Sequence, residues 1–222
     1  MTRHGVVTLF DVDNTLIDND HVVADMRRYL AEKVGNGQHE RYWELFEELR
    51  VELGYVDYLG ALQRFRVENV HRPHLLDVSL FLLDYPFANR LFPASLDAVE
   101  HARGWGEVAI LSDGDVVFQP LKVERSGIAE AVDWNVLIYV HKEHELDDVE
   151  ARYPADRYVL VDDKLRILDA VKQTWGERVT TVFPRQGHYA LDPEQISRYP
   201  AADITIEAIG ELAELDLEAL RA

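Results

Sequence analysis

"VVTLFDVDNTLID", residues 6–18, runs an apolar segment straight into two carboxylates. Val6, Val7, Leu9 and Phe10 are nearly continuous rather than alternating, the pattern of a strand covered on both faces. Asp11 and Asp13 follow with only Val12 between them, and Thr15 comes just after. Side chains two apart on a strand face the same side, so a strand continuing through Asp13 points both carboxylates into one place. Like charges that close push one pKa up unless a cation intervenes.

Five further runs have the same character: "EVAILSDG" (107–114), "NVLIYVHK" (135–142), "RYVLVDDK" (157–164), "VTTVF" (179–183) and "DITIE" (203–207). Helical patterns lie between them. "KLRILDAVKQTWG" (164–176) aligns Ile167, Leu168, Val171 and Trp175 on one face and stops at Gly176. "VFQPLKVERSG" (117–127) stops at Gly127 and holds Pro120 in its first turn. Alternating strand and helix predicts an α/β fold, a Rossmann-like parallel sheet flanked by helices.

The first connection differs. From Asp18 to Arg90 the pattern is helical, strongest in "RYWELFEELRVEL" (41–53) with Tyr42, Leu45, Phe46, Leu49 and Leu53 on one stripe. "HRPH" (71–74), with His71 and His74 as turn residues, breaks it, and Pro86 and Pro93 punctuate its end. The expected organisation is a core of residues 1–17 and 91–222 with an inserted all-helical domain of residues 18–90. "IEAIGELAELDLEALRA" (206–222) is expected to be an acidic amphipathic helix.

The 222 residues are 47% hydrophobic and 29% charged, enough for a sizeable core. The absence of cysteine excludes disulfides and thiolate metal sites. The apolar stretch near the start is too short for a secretory h-region, and no run approaches the roughly 18 apolar residues of a membrane span. A cytoplasmic setting is expected. A net charge of −18 repels nucleic acid, and an anionic small substrate must be drawn by local cations.

Ligands of open parallel sheets bind beyond the carboxyl ends of the strands. Four of the runs end there in chemically useful residues: Asp11 and Asp13; Ser112, Asp113 and Gly114; Lys142; and Asp162 with Asp163. Carboxylates at 11, 13, 162 and 163 suit Mg²⁺, a hard ion that takes oxygen ligands beside phosphate. Lys142 and Ser112 then face the ligand as cation and hydroxyl donor, and backbone N–H groups around Asp113 and Gly114 add to a phosphate cradle.

At these residues the chain resembles the haloacid dehalogenase-like hydrolase superfamily. The first motif, D-x-D-x-T, is met by Asp11 through Thr15, the second by Ser112, the third by Lys142 and the acidic pair by Asp162 and Asp163. The helical insert looks like a cap of the first cap class. Glu143 stands where Pro often follows the lysine, and Lys122 is a rival cation, although a helix position about ten residues past Ser112 is less able to reach the site.

The resemblance implies a phosphatase that hydrolyses a small phosphorylated metabolite. Asp11 is then the nucleophile that forms an aspartyl-phosphate, and Asp13 the acid/base. Mg²⁺ is held by Asp11, the backbone carbonyl of Asp13, and Asp162, with Asp163 direct or through water. Ser112 and Lys142 fix the phosphate oxygens.

Other chemistries of the superfamily need different residues. Dehalogenation needs the nucleophile but neither the metal nor the second aspartate of the first motif, so Asp13 and the Asp162–Asp163 pair count against it. Phosphonate cleavage needs a cap lysine, for which only Lys33 is present. A mutase retains Asp13 and differs in whether water enters. A phospho-acceptor module of the receiver type lacks a large insert. The insert's eight arginines, Arg27 to Arg90, are expected to pair mostly with nearby glutamates. His141 and His144 are read as exposed loop residues, and "FPRQGHYA" (183–190), with Arg185 and His188, as a simple loop on the rim.

Overall fold

The computed structural model describes residues 4–35, 37–69 and 75–216. Six strands, β1 His4–Phe10, β2 Glu107–Asp113, β3 Val136–Tyr139, β4 Ala155–Val161, β5 Val179–Pro184 and β6 Ile204–Ile206, form one sheet in the order β3-β2-β1-β4-β5-β6. Every pairing is parallel. The chain steps outward from β1 through β2 to β3, then returns to β1's other side with β4. That reversal leaves a crevice at the carboxyl end of β1, flanked by β2 and β4, where open sheets bind ligands.

After β1 come four helices, α1 Asn19–Val34, α2 His39–Leu53, α3 Tyr58–Glu68 and α4 Leu75–Leu83. Each buries one stripe: Val22, Met26, Leu30 and Val34 in α1, and Tyr42, Leu45, Phe46 and Leu49 in α2, with Leu53 half-buried. Asp57 caps α3 by accepting the Gly60 N–H at 2.7 Å, and Asp18 accepts the His21 N–H at 3.0 Å ahead of α1. The outgoing and returning connections run side by side. The Asp18 N–H donates to the Arg90 carbonyl at 2.7 Å, and the Phe92 N–H to the Leu16 carbonyl at 2.9 Å. His71, Pro73 and His74 lie outside the described residues.

The rest of the chain supplies α5 Ser95–Arg103, α6 Phe118–Arg125, α7 Ile128–Ala131, α8 Leu146–Arg152, α9 Leu165–Trp175, α10 Gly187–Leu191 and α11 Pro193–Ile196. Alternation along the strands sorts the core into two layers. Val6, Phe10, Ile110 and Val161 pack with α5, α6, α7 and the helices after β1. Val7, Leu9, Leu111 and Leu160 pack with α8 and α9. Tyr58 of α3 meets Phe118 of α6 with ring centres 5.1 Å apart, joining the helical insert to the first layer.

All six expected strands are present, with three corrections. β1 ends at Phe10, so Asp11 and Asp13 stand on a tight loop instead of a continuing strand. The Leu16 and Ile17 N–H groups both donate to the Val12 carbonyl at 2.9 Å, and Asn14 adopts a φ of 61°, which its short amide tolerates. β3 stops at Tyr139, and Lys142 opens a separate 3₁₀ turn, Lys142–His144. Within the expected C-terminal helix, Ile209–Glu214 forms a 3₁₀ turn instead. Ile209 and Leu212, three apart, are both buried, a spacing that suits three residues per turn. Residues 217–222 lie outside the described residues.

Candidate active site

Because β1, β2 and β4 are adjacent, the segments after them converge. Asp11 Oδ1 receives Lys142 Nζ at 2.5 Å, and the same ammonium reaches Asp162 Oδ2 at 2.6 Å and the Leu111 carbonyl at 3.1 Å. Thr15 Oγ1 donates to Asp11 Oδ2 at 3.3 Å and accepts the Asp163 N–H at 3.1 Å. One hydroxyl thus fastens the loop after β1 to the segment after β4. Asp11, Lys142, Asp162 and Asp163 are all buried.

Carboxylate oxygens of Asp11, Asp162 and Asp163 lie within 4.8 Å of one another. Neither oxygen of Asp163 has a hydrogen-bond partner. A buried carboxylate in that state is costly unless charge or hydrogen bonds satisfy it. Burial pushes the Asp162 carboxyl up to about 6 and holds that of Asp163 well above the usual range. Burial also opposes ionisation of Asp11, but Lys142 and Lys164 outweigh it and keep that carboxyl below its ordinary value. A buried, all-oxygen donor set with two unpaired atoms fits a hard divalent cation.

Asp13 stands apart from this trio. Its Oδ1 receives Lys122 Nζ at 2.5 Å, and its side chain is 27% exposed toward the cavity. The expected ligand contribution of Asp13 rests on its backbone carbonyl, not on this carboxylate. Lys122 does reach the site, contrary to the sequence expectation. It sits in the second half of α6, and its ammonium reaches the loop after β1. The two lysines are not rivals: Lys142 serves Asp11 and Asp162, and Lys122 serves Asp13.

Ser112 is buried, and its Oγ accepts Gln119 Nε2 at 2.9 Å. Asp113 Oδ1 accepts the Lys142 N–H at 2.7 Å, which fixes the turn that carries Lys142. Burial raises the Asp113 carboxyl, against the pull of Lys142. Gly114 is required by the same helix, since a Cβ there would lie 2.5 Å from Gln119 Cβ.

A cavity of about 530 Å³ opens beside Asp13, Asp113 and Gly114. Arg50, Tyr55 and Tyr58 of the helical insert form one wall, and Lys164, Tyr189 and Tyr199 another. His141 and His144 also line it; His144 is exposed as expected, and His141 is half-buried. Tyr189 reaches the cavity from the short helix that replaces the expected loop, while Arg185 pairs with Glu207 at 3.1 Å and His188 with Asp20 at 2.6 Å. Three of the insert's arginines pair with glutamates as expected, Arg41 with Glu44, Glu48 and Glu68, Arg50 with Glu47, and Arg64 with Glu52, while Arg28 and Arg90 pair with Asp25 instead.

Sequence reasoning missed Lys164, Gln119 and Asn19. Burial works against the Lys164 ammonium, but Asp163, Asp11 and Asp162 outweigh it and hold its pKa above the usual lysine value. Its signal was its position directly after the acidic pair. Gln119 and Lys122 are three apart on α6, a spacing that puts both on one helix face.

A family model described as haloacid dehalogenase-like hydrolase matches residues 7–179. A structure from Burkholderia xenovorans LB400, assigned to the haloacid dehalogenase-like hydrolases, is 59% identical. It covers 96% of this chain and 99% of its own, with a TM-score of 0.91. The L-2-haloacid dehalogenase of Xanthobacter autotrophicus shares the fold at 19% identity, covering 94% of this chain and 97% of its own, with a TM-score of 0.60. A magnesium-bound hydrolase of Bacillus subtilis does so at 16% identity, covering 96% and 98%, also with a TM-score of 0.60. No curated protein matches the chain.

Proposed function

Since the chain belongs to the haloacid dehalogenase-like hydrolases, we propose that it is a Mg²⁺-dependent phosphatase acting on a small phosphomonoester, with residues 18–90 as a cap over the site. The observation that carries this reading is the separation of two kinds of carboxylate. Asp11, Asp162 and Asp163 cluster as a cation-binding set, while Asp13 faces the cavity on a cation of its own. Carbon–halogen hydrolysis needs the nucleophile but neither a metal nor the second carboxylate of the first motif.

Asp11 attacks phosphorus, forming a P–O bond to its carboxylate as the bond from phosphorus to the leaving oxygen breaks. Asp13 gives its proton to that oxygen, then takes one from the water that attacks the aspartyl-phosphate, releasing inorganic phosphate and regenerating Asp11. Ser112 Oγ and Lys142 Nζ hold the non-bridging oxygens, with N–H groups near Gly114. Asp11, the Asp13 carbonyl and Asp162, with Asp163 direct or through water, would hold Mg²⁺, which would supply charge neutralisation for the attack. The cap excludes water during attack. The cavity is far larger than a phosphate group, so the leaving alcohol has room on the tyrosine-lined side.

The test is release of phosphate across sugar phosphates, phosphoglycolate, nucleotides and phosphoamino acids, with Mg²⁺ and with chelator, beside halide release from 2-haloacids. Turnover that survives chelation or Asp11→Asn overturns the reading. Halide release without phosphate release replaces it with dehalogenation.

A further inference from the structure

Lys122 is an unusual residue for α6. Its side chain is 1% exposed, although lysine is almost never fully buried without a partner. Its Nζ lies over the Phe118 ring, 5.3 Å from the ring centre. Its ammonium reaches two acceptors, Asp13 Oδ1 at 2.5 Å and Asn19 Oδ1 at 3.0 Å. These belong to different parts of the molecule. Asp13 is on the loop after β1, and Asn19 is the first residue of α1, where the helical insert begins. The Asn19 side chain also hydrogen-bonds the hydroxyl of Tyr58 on α3. One buried ammonium therefore joins Asp13, the first residue of the insert, and α6.

The pairing leaves Asp13 in a defined state. Oδ1 is held, and no hydrogen bond to Oδ2 is found among the described residues. Because Asp13 lines the cavity, the unheld oxygen is the one available to a ligand. An aspartate with two free oxygens on a loop would sample several staggered rotamers. Acid/base chemistry depends on a carboxylate held within hydrogen-bond reach of the reacting oxygen.

We propose that Lys122 is a positioning residue that aims Asp13 at the leaving-group oxygen, and that Asn19 makes this aim depend on the seating of the helical insert. The inference rests on the reading of Asp13 as the acid/base. A buried ion pair that only stabilised the fold would have no reason to end on that carboxylate and on the first residue of the insert.

The experiment compares Lys122→Met and Asn19→Ala with the wild type on two substrates, an alkyl phosphomonoester and p-nitrophenyl phosphate. The alkyl leaving group needs a proton from Asp13, and p-nitrophenolate departs without one. The readout is leaving-group release in the first turnover, before the water step that Asp13 serves for both substrates: in Lys122→Met the alcohol is released about 10- to 100-fold more slowly, while p-nitrophenolate release changes by less than about threefold. Asn19→Ala shows the same selectivity to a smaller degree, and it covers the case in which Lys122→Met does not fold. Equal losses on both substrates, or no loss on either, overturn the proposal.

Should the wild type turn over neither ester, the phosphatase reading fails first. The position of Asp13 in a crystal structure of Lys122→Met or Asn19→Ala then decides the present point. A displaced carboxylate supports it, and an unmoved one overturns it.

Discussion

The amide N–H of Asp163 donates to Thr15 Oγ1 at 3.1 Å, and this bond crosses 148 residues of chain to lock the loop after β1 to the segment after β4. The same hydroxyl touches Asp11 Oδ2. Thr15→Val keeps the shape and removes both bonds. We expect kcat to fall on the order of tenfold, the equivalent of about 1.4 kcal/mol, with Thr15→Ser close to wild type. Steady-state kinetics with Mg²⁺ titrated in each variant checks this.

Asp163, buried with both oxygens unpaired, makes the cation set testable without turnover. Mg²⁺ at about 100 times its Kd should stabilise the wild type by about 2.7 kcal/mol. In a protein of this size that raises Tm by roughly 5–10 °C. Asp163→Asn should abolish most of the shift while folding normally. Scanning calorimetry with and without Mg²⁺ reads both, and a full shift in Asp163→Asn removes Asp163 from the set.

Lys142 neutralises two buried carboxylates at once. Removing one partner of a buried pair strands the other charge, so Lys142→Met should cost about 3–5 kcal/mol in the metal-free protein. Urea unfolding in chelator measures the loss. Part of it should return with Mg²⁺, since a divalent cation compensates the same carboxylates.

Gly54 closes α2 at a φ of 80°, and a Cβ there would lie 2.9 Å from His141 Nε2. It is a contact point between the helical insert and the rim of the sheet. Gly54→Ala adds a strained left-handed alanine, about 1–2 kcal/mol, and a wedge against His141. Stability should fall by about that amount, and KM should rise. In a double-mutant cycle, His141→Ala should recover the wedge part and leave the strain part.

Asp25 of α1 binds Tyr85, Arg90 and Arg28, tying α1 to the returning connection. Burial raises its carboxyl, but the hydrogen bonds from Tyr85 and Arg90 outweigh that and set it below the ordinary 3.8. A folded-state pKa below the unfolded one stabilises above about pH 3.8 and loses that contribution as the pH falls through the folded value. Asp25→Asn should therefore be less stable at pH 7 by about 1–3 kcal/mol. The gap to wild type should close in acid. Denaturant midpoints at pH 7 and pH 3 decide it.

The parallel sheet was legible in the chain because six apolar runs carry their own signal, and strands buried on both faces need no alternation. The four chemically loaded strand ends were legible for the same reason, since each sits directly after its run. Two local readings failed where hydrogen bonding overrode pattern. The loop after β1 closes on the Val12 carbonyl and stops the strand before Asp11, and Ile209–Glu214 forms a 3₁₀ turn.

Composition and pattern alone determined the α/β class, the helical insert, and the set of candidate site residues. Periodicity and strand ends are properties of neighbouring residues, and those survive in a one-dimensional text. Which cation meets which carboxylate was decided only by tertiary structure. Lys122 lies 109 residues from Asp13, and Lys142 lies 131 from Asp11, yet both pairs close to 2.5 Å. Nothing local shows that both lysines reach the site. The adjacency of β1, β2 and β4 does, by placing α6 beneath Asp13 and the turn after β3 beside Asp11.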